Sequence, residues 1–492
     1  MAYDDLRTFL RDLEQQGALL RVAQPVDPVL ESTALCLRSL QQNGPALLFE
    51  TPRGSSLPLL GNLFGSPARI QAALHHRAIR SFRELGELLA SLQMPQLPRG
   101  LEGWLRAWPE YAQLANLRPE QAAHAPFESQ ILEGSAVDLS LLPIQHCWPE
   151  DAGRLITFGL VVTRGLRQTR QNVAVYRQQV IGPNRVIMRW LPHRGGALDY
   201  ADWLAARPQE PFPVAVVIGA DPCTQLAAVS PIPDTLSEYE FAGLLRGQPT
   251  LLRHSSHTGL DVPAGAEIVL EGHIHPGDRA LEGPFGDHTG YYNSQAEFPV
   301  LTVERLCLRA GALYQGSYMG RPPLDEPSVL ARELNDLFVP LLRHTFPEIL
   351  DFYLPPEACS YRIAVVSLHK QYAGHARRIM MGIWSWLRQF TYTKFVIVVD
   401  GDIDIRNWSE VIWAISTRMD PVRDCLLIEN TPIDYLDFAS PETGLGGKMG
   451  LDATNKWPGE THRSWGRPIR HDPEFARRMD ALWQTLFSEH AA

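Results

Sequence analysis

The segment Glu282-Gly-Pro-Phe-Gly-Asp287 sets two carboxylates on one short loop, where two glycines and a proline force an irregular backbone. Burial and a shared cation can drive the pKa values of two such acids apart. One then stays ionised while the other moves a proton. The alternative is a simple turn carrying two exposed acids. Upstream, residues 170–200 scatter Arg170, Arg177, Arg185, Arg189 and Arg194 among strand-like residues, with Tyr176 and Trp190 beside them. Guanidinium groups bind phosphate bidentately and stack on rings, so this pattern suits a phosphorylated planar ligand. Solvated arginines on a strand edge are the other reading.

Three further groups bear on metals and phosphates. DTLSEYEFAG (234–243) opens a helix with Glu238 and Glu240, an acidic start that the macrodipole favours. Asn172, His193 and Glu238 together would suit a divalent ion of the magnesium or manganese kind, but their separation carries little weight as spacing alone. His273 and His275 alternate on a strand and share a face, where a metal pair competes with ordinary surface histidines. GLGGKMG (444–450) has the glycines of a phosphate loop, yet Met449 stands where Ser or Thr should hold magnesium, so it reads as a flexible loop. There is no HExxH, no GxSxG, and no GxGxxG after a strand.

The elements that must position these residues fall into three regions. A chain of 492 residues exceeds one core, and 45% hydrophobic with 20% charged residues is a globular composition. A formal charge of −10 without a basic cluster argues against nucleic acid. The six cysteines form no CxxC pair and read as reduced, mostly buried thiols of a cytoplasmic protein. The start is acidic and amphipathic, unlike a signal peptide, and no apolar run spans a bilayer.

Residues 1–120 read as an N-terminal α/β domain. Asp4 or Asp5 caps a helix bearing Leu6, Phe9, Leu10 and Leu13, and Gly17 ends it before the strand at 19–22. The Pro- and Trp-rich stretch 94–110 marks the boundary. Residues 121–315 hold six strand-like runs with few helices, which predicts a β-barrel-like domain. Residues 316–492 read as a C-terminal βαβαβ unit with a parallel sheet. Its strands lie at 361–368, 394–400 and 424–429, and Asn407 and Glu410 form a capping box. The loop-like stretch 430–469 reads as functional or interfacial.

Taken together, the chain resembles the UbiD family of decarboxylases over nearly its whole length. The resemblance rests on GPALLFE (44–50), CWPED (147–151), MRWL with HRGGALDY (188–200), PDTLSEY (233–239), EGPFGDHTGYYN (282–293), YAGHA (372–376), DYLDFASP (434–441) and KMGLDATNKWPGE (448–460). It implies a mixed α/β fold whose central domain is a split β-barrel of the flavin-reductase type. It also implies prenylated FMN as cofactor, with manganese and potassium at its phosphate. Asn172, His193 and Glu238 match the family's metal ligands. Val175, Tyr176, Arg177, Arg189, Trp190, Leu191, Arg194, Gly195 and Lys394 match its cofactor-lining positions. Arg177, Glu282 and Asp287 match its catalytic network, although some members carry Glu where this chain has Asp287.

The implied reaction is non-oxidative decarboxylation of 4-hydroxy-3-polyprenylbenzoate to 2-polyprenylphenol and CO2, a step of ubiquinone biosynthesis. Loss of CO2 from an aromatic ring leaves an electron pair that no side chain can accept, so an organic electron sink is needed. Asp287 is the expected proton donor, with its pKa raised by burial, and Glu282 its electrostatic partner. The resemblance further implies a homodimer or homohexamer, a flavin prenyltransferase as cofactor supplier, and peripheral attachment to the cytoplasmic face of the membrane. The alternatives are a UbiD-type decarboxylase of a smaller aromatic or heteroaromatic acid, and a non-catalytic flavin-binding assembly subunit.

Overall fold

A computed structural model describes residues 3–74, 81–93, 114–230, 232, 236–469 and 471–488. The boundary stretch 94–110 lies outside them. Asp5 caps the first helix, its Oδ1 accepting the Thr8 N–H at 2.8 Å. The helix Leu6–Gln15 then buries Leu6, Phe9, Leu10 and Leu13. Gly17, at φ +69°, ends it in a backbone region that costs glycine little. The strands Leu19–Val22, Ala46–Phe49, Leu59–Gly61 and Tyr314–Gln315 make the first sheet in that order. The chain therefore returns to its N-terminal sheet only after completing the middle one.

The central sheet has nine strands, all paired antiparallel. Its path runs through Leu155–Ile156, Gln178–Gly182, Arg185–Met188, Ala296–Leu308, Ile268–Glu282, Phe212–Ile218, Leu160–Thr163 and Asn172–Val175. Gln130–Glu133 pairs with Ala296–Leu308 off this path. The expected closure into a barrel is not made by hydrogen bonds: among the described residues the two end strands do not pair. One end is instead tied covalently towards the other. Val175 ends the last strand of the path and Gln178 begins the second, with only Tyr176 and Arg177 between them. Two intervening residues span at most about 11 Å, so the sheet must curl. Arg177 sits at that junction.

The C-terminal sheet corrects the simple βαβαβ reading. Its order is Ile349–Tyr353, Ile363–Leu368, Phe395–Asp400, Leu445–Ala453 and Cys425–Pro432. The middle three strands are parallel and both edges antiparallel. The third parallel strand is the glycine-rich 445–453 segment, not 424–429. Gly450 shows why glycine suits a strand here: a Cβ would lie 2.4 Å from the Met380 sulfur on the covering helix His375–Trp386. The flexible-loop reading of GLGGKMG fails for that reason. The expected capping box is half formed. Asn407 Oδ1 accepts the Ser409 N–H, whereas Glu410 turns to the Asp404 N–H. All six cysteines are free thiols, four of them buried. No described helix is long and apolar enough to cross a membrane.

Candidate active site

Strand breaks aim the functional side chains inward. Arg177 follows Asn172–Val175 and Arg189 follows Arg185–Met188, and the Arg189 N–H reaches the Arg177 carbonyl at 3.3 Å. Glu282 is the last residue of the long strand Ile268–Glu282. The loop after it is held by its main chain: Gly283 N–H donates to Gln179 Oε1 and Gly286 N–H to Asp151 Oδ1, both at 2.9 Å. Gly286 must be glycine, because a Cβ would sit 2.4 Å from the Trp148 ring.

These constraints bring together what the spacing left open. Arg177 donates through Nε to Glu282 Oε1 at 2.8 Å and through Nη1 to Asp287 Oδ2 at 2.8 Å. Its Nη2 reaches Asn293 Oδ1 at 2.8 Å. Arg189 Nη1 donates to Glu282 Oε2 at 2.9 Å. Glu282 is 0% and Asp287 5% exposed, so the exposed-turn reading is excluded. Buried carboxylates at this depth need paired cations, and Arg177 and Arg189 supply them.

Asp287 carries a second partner that the sequence reading missed. The His288 ring places Nδ1 2.9 Å from Asp287 Oδ1 and Nε2 3.2 Å from Asp434 Oδ2. Tyr361 donates its hydroxyl to the same Asp434 oxygen at 2.8 Å. Tyr435 donates to Asp287 Oδ2 at 3.3 Å and accepts from Arg189. The 430–469 stretch thus delivers Asp434 and Tyr435 into the site. Their only signal was the DYLDFASP match.

The electrostatics correct the expected state of Asp287. Burial pushes its carboxyl up, but Arg177, His288 and Arg189 together outweigh burial and hold it well below the usual carboxylate range. Burial likewise lowers His288, and its two carboxylate partners overcome that and raise it to about 9. The proton of this pair therefore rests on the imidazole, and Asp287 is an anion.

Of the metal candidates, Asn172 and Glu238 come together around one main-chain unit, Glu238 accepting the Val173 N–H at 3.2 Å. Ser237 and Glu240 form the capping box of the helix Glu238–Arg246, so Glu240 is occupied and Glu238 is left to point at this corner. Burial pushes the Glu238 carboxyl up to about 7. Gly195, two residues after His193, packs so closely that a Cβ would lie 2.1 Å from Asn172 Oδ1. The His193 ring itself stands 6.1 Å from that of Tyr392. A largely buried carboxylate and an amide oxygen beside a bare glycine fit a hard divalent cation, and His193 is linked to them only by its nearness in sequence to Gly195.

The cofactor-lining candidates divide. Arg177 and Arg189 face the acids. Tyr176 accepts the Gly196 N–H at 3.0 Å, and the Trp190 indole is packed in the core against Tyr176, Tyr200 and Phe212. Val175 and Leu191 are half-buried against core clusters. Lys394 pairs with Asp437 at 2.8 Å, beside Arg362, which lies 3.5 Å from Asp437 and 3.6 Å from Asp434. Arg362 is a further residue the sequence reading missed, and its Nε and Nη2 are buried without a hydrogen-bond partner. The Arg194 charge lowers the phenols of both Tyr176 and Tyr361, against the burial that raises them. Guanidinium donors without a hydrogen bond, beside a lysine, suit a phosphate group that would compete with Asp434 and Asp437 for these cations.

Family models match three consecutive parts of the chain. They describe the N-terminal domain (residues 10–89), the Rift-related domain (119–322) and the C-terminal domain (328–453) of 3-octaprenyl-4-hydroxybenzoate carboxy-lyase. The chain belongs to the UbiD family, and it is a carboxy-lyase, a decarboxylase, by that membership. It is similar to vanillic acid decarboxylase from Sedimentibacter hydroxybenzoicus in its closed form. That match has 28% identity, covers 99% of each chain and has a TM-score of 0.83. It is also similar to the UbiD-class enzyme HmfF from Pelotomaculum thermopropionicum in complex with FMN, at 30% identity over 94% of this chain and 97% of that one, TM-score 0.78. An evolved dimeric form of HmfF in complex with prFMN matches at 28% identity over 96% and 98%, TM-score 0.77.

Proposed function

We propose that the chain is a prenylated-FMN-dependent decarboxylase of an aromatic acid, with 4-hydroxy-3-polyprenylbenzoate as its substrate and 2-polyprenylphenol and CO2 as products. The observation that carries the reading is the buried cation Arg177 bridging Glu282 and Asp287. The curled central sheet is consistent with a split barrel of the flavin-reductase type, and the prFMN complex of a relative supports the cofactor. Bound prenylated FMN supplies an electron sink for the pair left when CO2 departs.

This chain's own residues do the rest. Arg194, Arg362 and Lys394 would hold the cofactor phosphate, and Asn172, His193 and Glu238 would hold manganese, with potassium nearby. Arg177 and Arg189 pair with Glu282, and Arg177 fixes the orientation of Asp287. Asp287 hands a proton to the ring carbon that lost its carboxylate, and His288 holds that proton beforehand at Asp287 Oδ1, 2.9 Å away. Tyr435 stays protonated, since burial and Asp287 push its phenol up, and it tethers Arg189 and Asp287 together.

A homo-oligomer, supply of cofactor by a flavin prenyltransferase, and peripheral contact with the cytoplasmic face of the membrane belong to this proposal. The second reading is a smaller phenolic acid as substrate, favoured by the similarity to a vanillic acid decarboxylase. Both are tested by incubating cofactor-loaded protein with a panel of prenylated and unprenylated hydroxybenzoates. Product formed only from the prenylated acid supports the first reading. Product formed only from the small acids supports the second.

A further inference from the structure

His257, His273 and Glu304 come from three separate elements and converge on one point. His273 lies on the strand Ile268–Glu282, Glu304 on Ala296–Leu308, and His257 in the turn between Leu251–His254 and Asp261–Pro263. His257 Nε2 and His273 Nδ1 each stand 2.8 Å from the same oxygen, Glu304 Oε2. One ligand atom from each residue lies within 4.8 Å of the others. The side chains are 22–32% exposed, so the group is half-shielded and still reached by solvent.

The backbone is built to place Glu304 there. The pairing of the two long strands slips between Glu271, which faces Arg305, and Gly272, which faces Val303. Glu304 is therefore the extra residue of a β-bulge, a device that re-aims a side chain. Gly272 permits the bulge, because a Cβ would lie 1.9 Å from the Thr302 carbonyl oxygen. The turn bearing His257 is also fixed: Ser255 Oγ accepts the His257 N–H at 3.2 Å and the Thr258 N–H at 3.1 Å. Arg305, the adjacent cation on the strand, is engaged with Glu133 at 3.1 Å and Glu271 at 3.3 Å. Arg164 reaches the Gly259 carbonyl, at 3.4 Å.

Two imidazoles and one carboxylate are the ligand set of zinc sites that keep an open position. With bonds of about 2.1 Å in tetrahedral geometry, neighbouring ligand atoms stand about 3.4 Å apart. The present 2.8 Å separations need widen by little more than half an ångström to admit the ion. We propose that His257, His273 and Glu304 bind a zinc-class divalent cation at the surface of the central sheet, with water at the open position. The site shares no side chain with Asn172, His193 and Glu238. Its ion ties the 255–260 turn to the two longest strands of the sheet. His275, the other half of the pair suggested by strand alternation, is not in the group.

The test uses cobalt as the probe on the full chain after chelator treatment. Cobalt bound per chain, and its visible absorption, are measured in the wild type, in His257→Ala with His273→Ala, and in Glu304→Gln. Glu304→Gln keeps an acceptor for both imidazoles and so guards against loss of the fold. The expected result is one equivalent fewer in the double variant, at least a tenfold weaker site in Glu304→Gln, and decarboxylase activity unchanged in both. Zinc should raise the thermal midpoint of the wild type by more than that of either variant. Equal cobalt stoichiometry and affinity in all three proteins would overturn the proposal and leave a purely hydrogen-bonded His–Glu–His group.

Discussion

Replacing His288 by Asn tests the charge balance on which the acid chemistry rests. In the wild type the imidazole bridges Asp287 and Asp434, and those two anions raise its pKa from 6.5 to about 9. The folded protein therefore keeps a proton that the unfolded chain has released throughout that interval. Stability from this group is fully present below pH 6.5 and is lost as pH rises through 9. The interval corresponds to on the order of 3 kcal/mol. Asn can still hydrogen-bond but cannot carry the charge, so His288→Asn removes this pH dependence. Other groups that titrate in the window, such as Lys448, lowered by burial to about 8, are common to both proteins and cancel in the difference. The assay is the urea-unfolding free energy from pH 6 to 10 for both proteins. The variant should be the less stable below pH 6.5, and the gap should close by roughly that amount above pH 9. Parallel curves would refute the assignment of the proton to His288.

Other expectations follow from the same geometry. Asp287→Asn should lower kcat by about 10²–10⁴ with cofactor content unchanged, as measured by steady-state kinetics and flavin absorbance. Gly195→Ala drives a methyl to within 2.1 Å of Asn172 Oδ1 and should weaken manganese binding roughly 10–100-fold in a metal titration without altering the fold. Tyr435→Phe removes a hydroxyl from both Arg189 and Asp287 and should cost about 1 kcal/mol in transition-state stabilisation, read as a several-fold fall in kcat/KM.

What the sequence revealed followed the range of the forces involved. The first helix was legible because its cap and its apolar face are local, and Asp5, Leu6, Phe9, Leu10 and Leu13 behave as their spacing says. The pairing of Arg177 with Glu282 and Asp287 came from the family resemblance, since partners 105 and 110 residues apart leave no local pattern. The Leu445–Ala453 strand was hidden because its glycines disfavour a strand locally, while the approach of Met380 demands them. Asp434 and Tyr435 lay in a loop-like stretch and gained their roles only when the C-terminal sheet met the central one. His288 stood beside Asp287 in plain view. A lone histidine next to an acid carries no spacing signal, and only the approach of Asp434 shows that it holds the proton. Burial alone argued that the pKa of Asp287 rises, but three nearby cationic groups reverse that sign.

The most direct test of the central claim is CO2 release from 4-hydroxy-3-polyprenylbenzoate by protein loaded with prenylated FMN and manganese, with Asp287→Asn run alongside. The expected result is one CO2 and one 2-polyprenylphenol per substrate consumed by the wild type, and a loss of at least about two orders of magnitude in the variant. Equal turnover by Asp287→Asn, or no turnover by the loaded wild type on any aromatic acid, would contradict it.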